Sequence, residues 1–132
     1  MDKSYSEWDF DVVVIGAGGA GLRAAIEASS NGAKVGMISK SMLGKAHTVM
    51  AEGGAAAALA NKDHRDSWKI HFRDTMKGGK YLSDWRMAKV HAQQAPDRIR
   101  ELEQWGAVFD RTSEGKTSQR NFGGHTYPRL AH

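Results

Sequence analysis

The sequence predicts an α/β fold in which a parallel strand–helix–strand start is followed by helices and short strands. Phe10 to Ile15 is an apolar run rich in β-branched residues, which is typical of a buried strand. Glycines follow at once, and Leu22 to Ala28 then has the composition of a helix that Asn31-Gly32 ends. Lys34 to Ser39 completes the unit as a second strand, which runs parallel to the first because a helix connects them.

A glycine motif lies between the first predicted strand and the predicted helix. Gly16-Ala17-Gly18-Gly19-Ala20-Gly21 matches the pattern G-x-G-x-x-G, which is weak alone but gains weight from this strand-to-helix context. Glycines there let the backbone approach a pyrophosphate, and the N–H groups and dipole of the helix favour phosphates. The motif predicts a Rossmann-like dinucleotide site, with a glycine-rich turn that holds no ligand as the alternative.

The end of the second strand departs from the usual dinucleotide pattern. That pattern has Asp or Glu about 20 residues after the glycines, where the carboxylate binds a ribose hydroxyl. This chain has Ser39 and Lys40 instead. A serine can still hydrogen-bond a hydroxyl, and the lysine could equally meet a phosphate. The chain is therefore not predicted to be a standard NAD module.

Residues 46–60 are rich in small side chains and include Gly53-Gly54 and four consecutive alanines. Two interpretations compete: a flexible linker, or backbone packed closely against a flat surface. His47, Thr48 and Glu52 lie among the apolar residues of this segment, which favours close packing.

Helical patterns fill the middle of the chain. One predicted helix is capped by Asp63 or Asp66, ends at Gly78-Gly79, and shares one face among Trp68, His71, Phe72, Thr75 and Met76. His71 on that apolar face is predicted to be a core histidine with its hydrogen bonds satisfied.

Two further helices are predicted. Ser83-Asp84 caps one that runs through Gln94, and Pro96 starts another that carries Ile99, Leu102 and Trp105 and stops at Gly106. From Ala107 onward we predict short strands and turns, with breaks at Gly115 and Gly123-Gly124.

Composition narrows the possible functions. With 132 residues the chain suits one domain, and with no cysteine it offers no disulfide, no thiolate metal ligand and no iron–sulfur cluster of its own. His64 and His71 lack a third ligand at metal spacing, so no metal is predicted. The net charge of +4 is interleaved with acidic residues, which argues against nucleic-acid binding. No apolar stretch is long enough for a membrane span, and no leader pattern precedes the fold, so a cytoplasmic protein is expected.

The motifs together resemble the N-terminus of the flavoprotein subunit of succinate dehydrogenase and fumarate reductase. The resemblance covers nearly the whole chain and preserves the order and approximate spacing of the motifs. It rests on Val12 to Gly21, Ser39-Lys40, His47-Thr48, Gly53-Gly54, Asp66-Ser67-Trp68, Asp74-Thr75, Lys77-Gly78, Leu102-Glu103, Gly106, Phe109, Arg111 and Phe122-Gly123-Gly124.

What the resemblance implies is specific. The glycine motif would bind the FAD pyrophosphate, the Ser-Lys pair would lie near the adenosine, and His47 would be bonded to the 8α carbon of the isoalloxazine through a neutral imidazole nitrogen. Phe122 would border a dicarboxylate site, although a core aromatic before a turn is an equal alternative. The implied cofactor-binding residues are Gly16, Ala17, Gly18, Gly19, Ala20, Gly21, Ser39, Lys40, Ser41, Lys45, Ala46, His47, Thr48, Ala51, Glu52, Gly53 and Gly54.

The resemblance also implies the surroundings of the chain. Residues 1–132 would be the N-terminal part of the FAD-binding domain of a longer, membrane-associated subunit, with the capping and C-terminal helical domains and all catalytic residues outside them. That longer protein would interconvert succinate and fumarate and pass electrons, through an iron–sulfur subunit, to membrane-anchor subunits. It would lie on the cytoplasmic face of a bacterial inner membrane.

Three positions depart from the family pattern. Lys45, Ala46 and Glu52 stand where the family commonly has Arg, Ser and Gln. An ionised Glu52 near the flavin would oppose its reduction, which leaves the favoured direction of the reaction open. Two other interpretations remain: a relative with non-covalent FAD, of the L-aspartate oxidase or adenylylsulfate reductase type, and a non-catalytic nucleotide-binding module.

Overall fold

The computed structural model describes residues 5–132, which divide into two compact units. The first unit ends at Glu52, and the second is Gly53–His132. Among the helices of residues 5–132, none combines the length and apolar character needed to cross a bilayer.

The first unit contains the predicted strand–helix–strand start. β1 (Val12–Ile15), α1 (Gly19–Ser30) and β2 (Val35–Ile38) follow one another, and the two strands pair in parallel from Val12↔Val35 to Ile15↔Ile38. Asn31 forms the C-cap of α1, and Gly32 adopts a left-handed φ of +86°, which glycine tolerates without strain. The α/β fold class and this order of elements are confirmed.

The burial predicted for the first strand is wrong. Val13 is 51% exposed and Ile15 is 83% exposed. Parallel strands become fully buried only when helices cover both faces of their sheet. Within residues 5–52 the sheet has two strands and a single helix, so much of its apolar surface remains open. Packing is close at Gly36, where an added Cβ would lie 2.7 Å from the ring of Phe10.

The second unit combines a helical pair with a small antiparallel sheet. Its core consists of Ala57, Ala95, Ile99 and Ala131, against which Leu59 and Phe109 pack. Because three of these core residues are alanines, the sheet closely approaches the helix that carries Ala95 and Ile99. The elements are β3 (Ala55–Ala56), α2 (Trp68–Gly78), α3 (Trp85–Gln104), β4 (Gln119–Arg120) and β5 (Leu130–Ala131), with strand order β3–β5–β4.

The helix predicted to start at Pro96 is not separate from the helix predicted to run through Gln94. α3 is continuous from Trp85 to Gln104 and contains Pro96 in its interior. Proline removes one helical hydrogen bond and crowds the carbonyl four residues earlier, here that of Ala92. The helix continues because its inner face, which includes the buried Ala92, Ala95 and Ile99, packs into the core and stabilises the helix by more than the local loss.

One predicted cap is confirmed and another is wrong. The Asp84 carboxylate accepts hydrogen bonds from the N–H groups of Arg86 (2.8 Å) and Met87 (3.3 Å) at the start of α3. The N-cap of α2 is Ser67, and no side-chain cap bond forms there. Asp63 pairs with Arg65, and Asp66 pairs with Arg129, so neither carboxylate caps the helix.

Two parts of residues 46–60 have regular structure, and the boundary between the two units falls between these parts, after Glu52. A short 3₁₀ helix covers His47–Met50, and β3 follows in the second unit. Ala57 is fully buried, and its N–H donates to the carbonyl of Arg129 at 2.8 Å. Short strands also form near the end of the chain, as predicted.

Candidate dinucleotide-binding site

The glycine turn joins the carboxyl end of β1 to the start of α1. Gly16 has a left-handed φ of +109°, and its N–H donates to the Ile38 carbonyl at 2.8 Å, which ties the turn to β2. Gly18 is the N-cap of α1 and has no side chain with which to cap the helix. The turn therefore lies at the edge where ligands bind in open parallel sheets.

Gly21 is required by the packing of α1 on the turn. A Cβ at this position would overlap the backbone carbonyl of Gly16. Only glycine permits so close an approach between helix and turn, which is the packing role expected of the last glycine of the motif. Ala17 within the turn is buried, and Ala20 lies in the first turn of the helix.

Thr48 reaches the N-terminus of α1 from the segment that follows β2. Its Oγ1 accepts a hydrogen bond from the Gly19 N–H at 3.1 Å. A Cβ on Gly18 would lie 3.2 Å from that oxygen, and one on Gly19 would lie 3.3 Å from the Thr48 methyl group. These glycines therefore leave room for the threonine side chain. No local pattern in the sequence signals this contact, because the two partners are far apart in the chain.

His47 is exposed at the start of the 3₁₀ helix. The helix is closed by hydrogen bonds from the N–H of Val49 to the carbonyl of Ala46 and from the N–H of Ala51 to the carbonyl of Thr48, both 3.1 Å. Ala46 is half-buried beneath it. The imidazole is thus accessible on a backbone that the neighbouring residues hold in place.

The other predicted residues of the first unit lie after β2. Ser39 is half-buried, whereas Lys40 and Ser41 are exposed. The Ser41 hydroxyl donates to the Lys45 carbonyl at 3.5 Å, which folds the segment back on itself. A cavity of about 240 Å³ lies between the glycine turn, the start of α1 and residues 44–49. Exposed Ala51 and Glu52 end the unit.

Gly53 and Gly54 belong to the second unit, where they begin the approach to β3. Gly54 has a left-handed φ of +100°, and a Cβ there would overlap the Ala131 carbonyl. Gly54 is therefore explained by packing within the second unit. Gly53 has open space around it and accepts a hydrogen bond from Arg120.

Phe122 is 61% exposed and lies beside a row of histidines formed by His125 and His71. Its ring meets His125 edge to face at 6.4 Å, and His125 lies 6.0 Å from His71. The prediction that His71 belongs to the core is confirmed, since it is 2% exposed. The prediction that its hydrogen bonds are satisfied is wrong: within residues 5–132, His71 Nδ1 has no partner, and neither has His125 Nδ1.

Burial favours the neutral form of these imidazoles by lowering their pKa. Desolvation, together with the nearby Arg129 guanidinium, lowers the pKa of His71 to about 4. The same two causes lower the pKa of His125. Across the described residues, no set of three or more His, Asp or Glu side chains is arranged to hold a metal ion.

A buried ion network holds the chain behind Phe122. Arg129 is fully buried; its guanidinium donates to Asp66 at 2.7 and 3.1 Å and to Asp74 at 3.0 Å. The N–H and hydroxyl of Thr126 both donate to Asp74 at 2.8 Å. Burial would raise the pKa of Asp74, but the bonds from Thr126 and Arg129 outweigh it and lower the pKa. Sequence patterns do not reveal this network, because its members share no periodicity.

The turn fits the diphosphate of a dinucleotide. The first turn of α1 has no acidic residue, and its N-cap has no capping side chain. The N–H groups and dipole of this helix end therefore meet no competing negative charge within that first turn.

Comparison with known proteins agrees with this geometry. The profile of the FAD binding domain family matches residues 11–132, and the chain belongs to that family. Membership supports FAD as the dinucleotide.

Two relatives show which kind of FAD-binding protein the chain is similar to. One is a subunit of the fumarate reductase (CoM/CoB) of Methanothermobacter marburgensis, which is 47% identical over 126 residues, 95% of this chain and 23% of the relative. The succinate dehydrogenase flavoprotein subunit of Rickettsia bellii is 48% identical over 128 residues, 96% of this chain and 21% of that protein. The chain thus spans about a fifth of the length of these curated relatives.

Solved structures give the same picture. The Mycobacterium smegmatis Sdh1 complex in the apo form has a chain with a TM-score of 0.91 and 69% identity, covering 93% of this chain and 21% of that one. The quinol fumarate reductase of E. coli has a TM-score of 0.85 and 40% identity, covering 92% and 21%. The resemblance inferred from the sequence is confirmed.

Proposed function

We propose that this chain is the FAD-binding portion of the flavoprotein subunit of a succinate dehydrogenase or fumarate reductase, and that FAD is bonded to His47. Residues 1–132 would form the N-terminal part of the FAD-binding domain. The observation that carries the proposal is the contact between the 3₁₀ helix and the glycine turn, made by Thr48, which directly follows the exposed His47. The reaction class is supported by the names of the curated relatives and of the two solved complexes.

Each part of the first unit has a binding role in this proposal. The turn from Gly16 to Gly21 holds the pyrophosphate, Ser39 to Ser41 lie along the adenosine, and the residues from Lys45 to Glu52 follow the cofactor toward its ring. Gly53 and Gly54, which belong to the second unit, remain predicted to contact the cofactor. FAD, when bound, supplies the hydride acceptor for a dicarboxylate C–H bond, and we propose that the residues that deprotonate the substrate and bind its carboxylates lie outside residues 1–132.

The attachment at His47 needs a neutral imidazole. One ring nitrogen forms a bond to the 8α carbon, a C–H bond at that carbon breaks, and the imidazole gives up its N–H proton. The bound FAD would itself accept the two electrons and two protons released in this step, and an oxidant such as dioxygen or fumarate would then take them up.

The partners follow from the relatives. An iron–sulfur subunit would take the electrons and pass them to membrane-anchor subunits, which would place this chain peripherally on the cytoplasmic face of a bacterial inner membrane. Co-purification of the native complex from solubilised membranes tests this assignment. Recovery of the flavoprotein alone, with no iron–sulfur protein and with FAD that stays extractable, would contradict it.

The attachment is tested by mass spectrometry of the full-length natural protein. Trypsin releases the peptide Ala46 to Lys62, and fragmentation locates a flavin adduct on His47. His47→Ala is the control, which should keep FAD but release all of it on denaturation. An unmodified His47 in wild-type protein that carries FAD would refute covalent attachment.

Phe122 is proposed to border the dicarboxylate site. The proposal is supported by the exposure of its ring, which contacts His125 on one side and could cover an apolar part of a substrate on the other. Phe122→Leu should raise the KM for succinate about three- to tenfold with unchanged FAD content, since part of an apolar contact is lost. Tyr81→Leu, at another exposed aromatic residue, should leave the KM unchanged. Equal values of KM for wild type and Phe122→Leu would remove Phe122 from the site.

A further inference from the structure

Thr48, the residue after His47, contacts the glycine turn. Its hydroxyl accepts the Gly19 N–H at 3.1 Å. Ala46, the residue before His47, lines one cavity together with Ala17 and Gly19 of the turn. The backbone beside His47 is therefore held on the turn through Thr48, while the His47 imidazole is exposed.

The Thr48 hydroxyl bonds to the N-terminal end of α1. Gly19 is the first residue of α1, and the first N–H groups of a helix have no partner within the helix. Gly18 and Gly19 leave room for the Thr48 side chain, because a Cβ on either would lie within 3.3 Å of it. Side chain and turn are thus fitted to each other across a long stretch of sequence.

We propose that Thr48 is a positioning residue for the attachment of FAD to His47. Its hydroxyl fixes the 3₁₀ helix on the turn that binds the pyrophosphate, so that one end of the cofactor and the attacking nitrogen keep a constant separation. This inference rests on the proposed attachment at His47. A nucleophile held in a productive geometry reacts much faster than one on a mobile segment.

The same hydrogen bond sets where phosphate oxygens bind. Because the Thr48 hydroxyl occupies the N–H of Gly19, the pyrophosphate is left with the N–H groups of the residues that follow in the first turn. Loss of the hydroxyl therefore frees one donor for phosphate while it releases the 3₁₀ helix. FAD binding should be retained, and the rate of attachment should fall.

The test compares Thr48→Val with Thr48→Ser in the full-length natural protein, prepared without flavin and then given FAD. Valine keeps the shape of threonine but removes the hydroxyl, whereas serine keeps the hydroxyl. Covalent flavin is followed as fluorescence of the denatured protein band over time, and non-covalent FAD as flavin released by acid. Thermal unfolding of each flavin-free variant reports folding, and Thr48→Ala replaces the valine variant if that variant unfolds early.

Thr48→Val should attach flavin about fivefold more slowly than wild type, which corresponds to the loss of one hydrogen bond. Thr48→Ser should stay within about twofold, and non-covalent binding should change less than the rate does. Attachment by Thr48→Val at the wild-type rate overturns the positioning role alone. Loss of non-covalent FAD in Thr48→Val overturns it too, since the hydroxyl would then act on cofactor binding and not on the attachment step. Wild-type protein that holds only extractable FAD overturns the attachment at His47 and the positioning role together.

Discussion

At the scale of single residues, the buried cation Arg129 stabilises the fold through its ion pairs. Arg129 is fully buried between Asp66 and Asp74, and all three charges are satisfied by one another and by Thr126. Removing one partner of a buried ion pair leaves an uncompensated charge in a medium of low polarity. The network therefore ties the segment behind Phe122 both to α2 and to the turn that leads into it.

Arg129→Met should lower the free energy of unfolding by about 3–5 kcal/mol, because two carboxylates lose their buried partner. Arg100→Met is the matched control. Its ion pair with Asp97 is largely exposed, so its loss should cost under about 1 kcal/mol. Urea denaturation of the full-length protein, followed on peptides of α2 by hydrogen exchange, measures both. Equal effects of the two substitutions would show that the buried network contributes little.

His71 gives stability a defined dependence on pH. Its pKa is lowered from 6.5 to about 4 by burial and by Arg129, so the unfolded chain binds the proton more readily than the folded one. Stability is therefore complete above about pH 6.5 and falls by roughly 3 kcal/mol as the pH falls to about 4. His71→Phe should reduce this dependence of the unfolding free energy on pH. Ile99→Val should lower the unfolding free energy by loosening the core but leave its dependence on pH unchanged. Unfolding free energies between pH 4 and 7 decide the matter; a wild-type slope in His71→Phe would contradict the assignment.

At the scale of elements, α3 shows packing prevailing over local propensity. Pro96 predicted a helix boundary, but a single helix runs through it, because its small buried residues pack against the sheet. Sequence alone could not decide this, since Ala95 and Ile99 of that face pack with Ala57 and Ala131, which are distant in the chain. The strand–helix–strand start was predictable because each of its signals is local. The exposure of β1 was not, because it depends on what covers the sheet.

Pro96→Ala should stabilise the protein by about 1–3 kcal/mol, since it restores the hydrogen bond to the Ala92 carbonyl and removes a steric conflict. Gln94→Ala, a neighbouring substitution within the same helix, should change stability by less than about 0.5 kcal/mol. Chemical denaturation compares the two variants. A destabilised Pro96→Ala protein would mean that the bend at proline is needed for packing.

The packing of α1 makes a second prediction at this scale. Gly21→Ala should distort the glycine turn, because the new Cβ would overlap the Gly16 carbonyl, and FAD retention should fall at least tenfold. Gly78→Ala at the end of α2 has open space around it and should bind FAD normally. Equilibrium dialysis with FAD measures both proteins, each also carrying His47→Ala so that binding stays reversible. Normal retention by Gly21→Ala would show that the turn can shift without loss of function.

At the scale of the whole molecule, most of the predicted cofactor-binding residues fall in the unit that ends at Glu52. The resemblance and the family were predictable from sequence, since the motifs keep their order. The roles of Thr48, Arg129 and the row of histidines were not, because those contacts join residues that are distant in the chain. The structure also separates Gly53 and Gly54 from the other predicted residues by giving them to the second unit.

Removal of FAD should therefore act unevenly on the molecule. Hydrogen exchange of the full-length protein should accelerate most in peptides from residues 10–52 when FAD is absent, because ligand binding stabilises the segments it contacts. Peptides of α3 serve as the internal reference and should change little. Uniform acceleration along the chain would mean that FAD stabilises both units as one cooperative body.

The pairing of β3 with β5 has a consequence for how the protein is made. β3 leaves the ribosome long before β5, and its partner is Leu130–Ala131 near the other end of the second unit. The helical pair α2 and α3 can form in the interval, since its contacts are local. Meanwhile the unpaired strand exposes only Ala55 and Ala56, which are poor seeds for misassociation with other nascent chains. Because β3 consists of two alanines, the unpaired strand does not promote misassociation before the ribosome has synthesised β5.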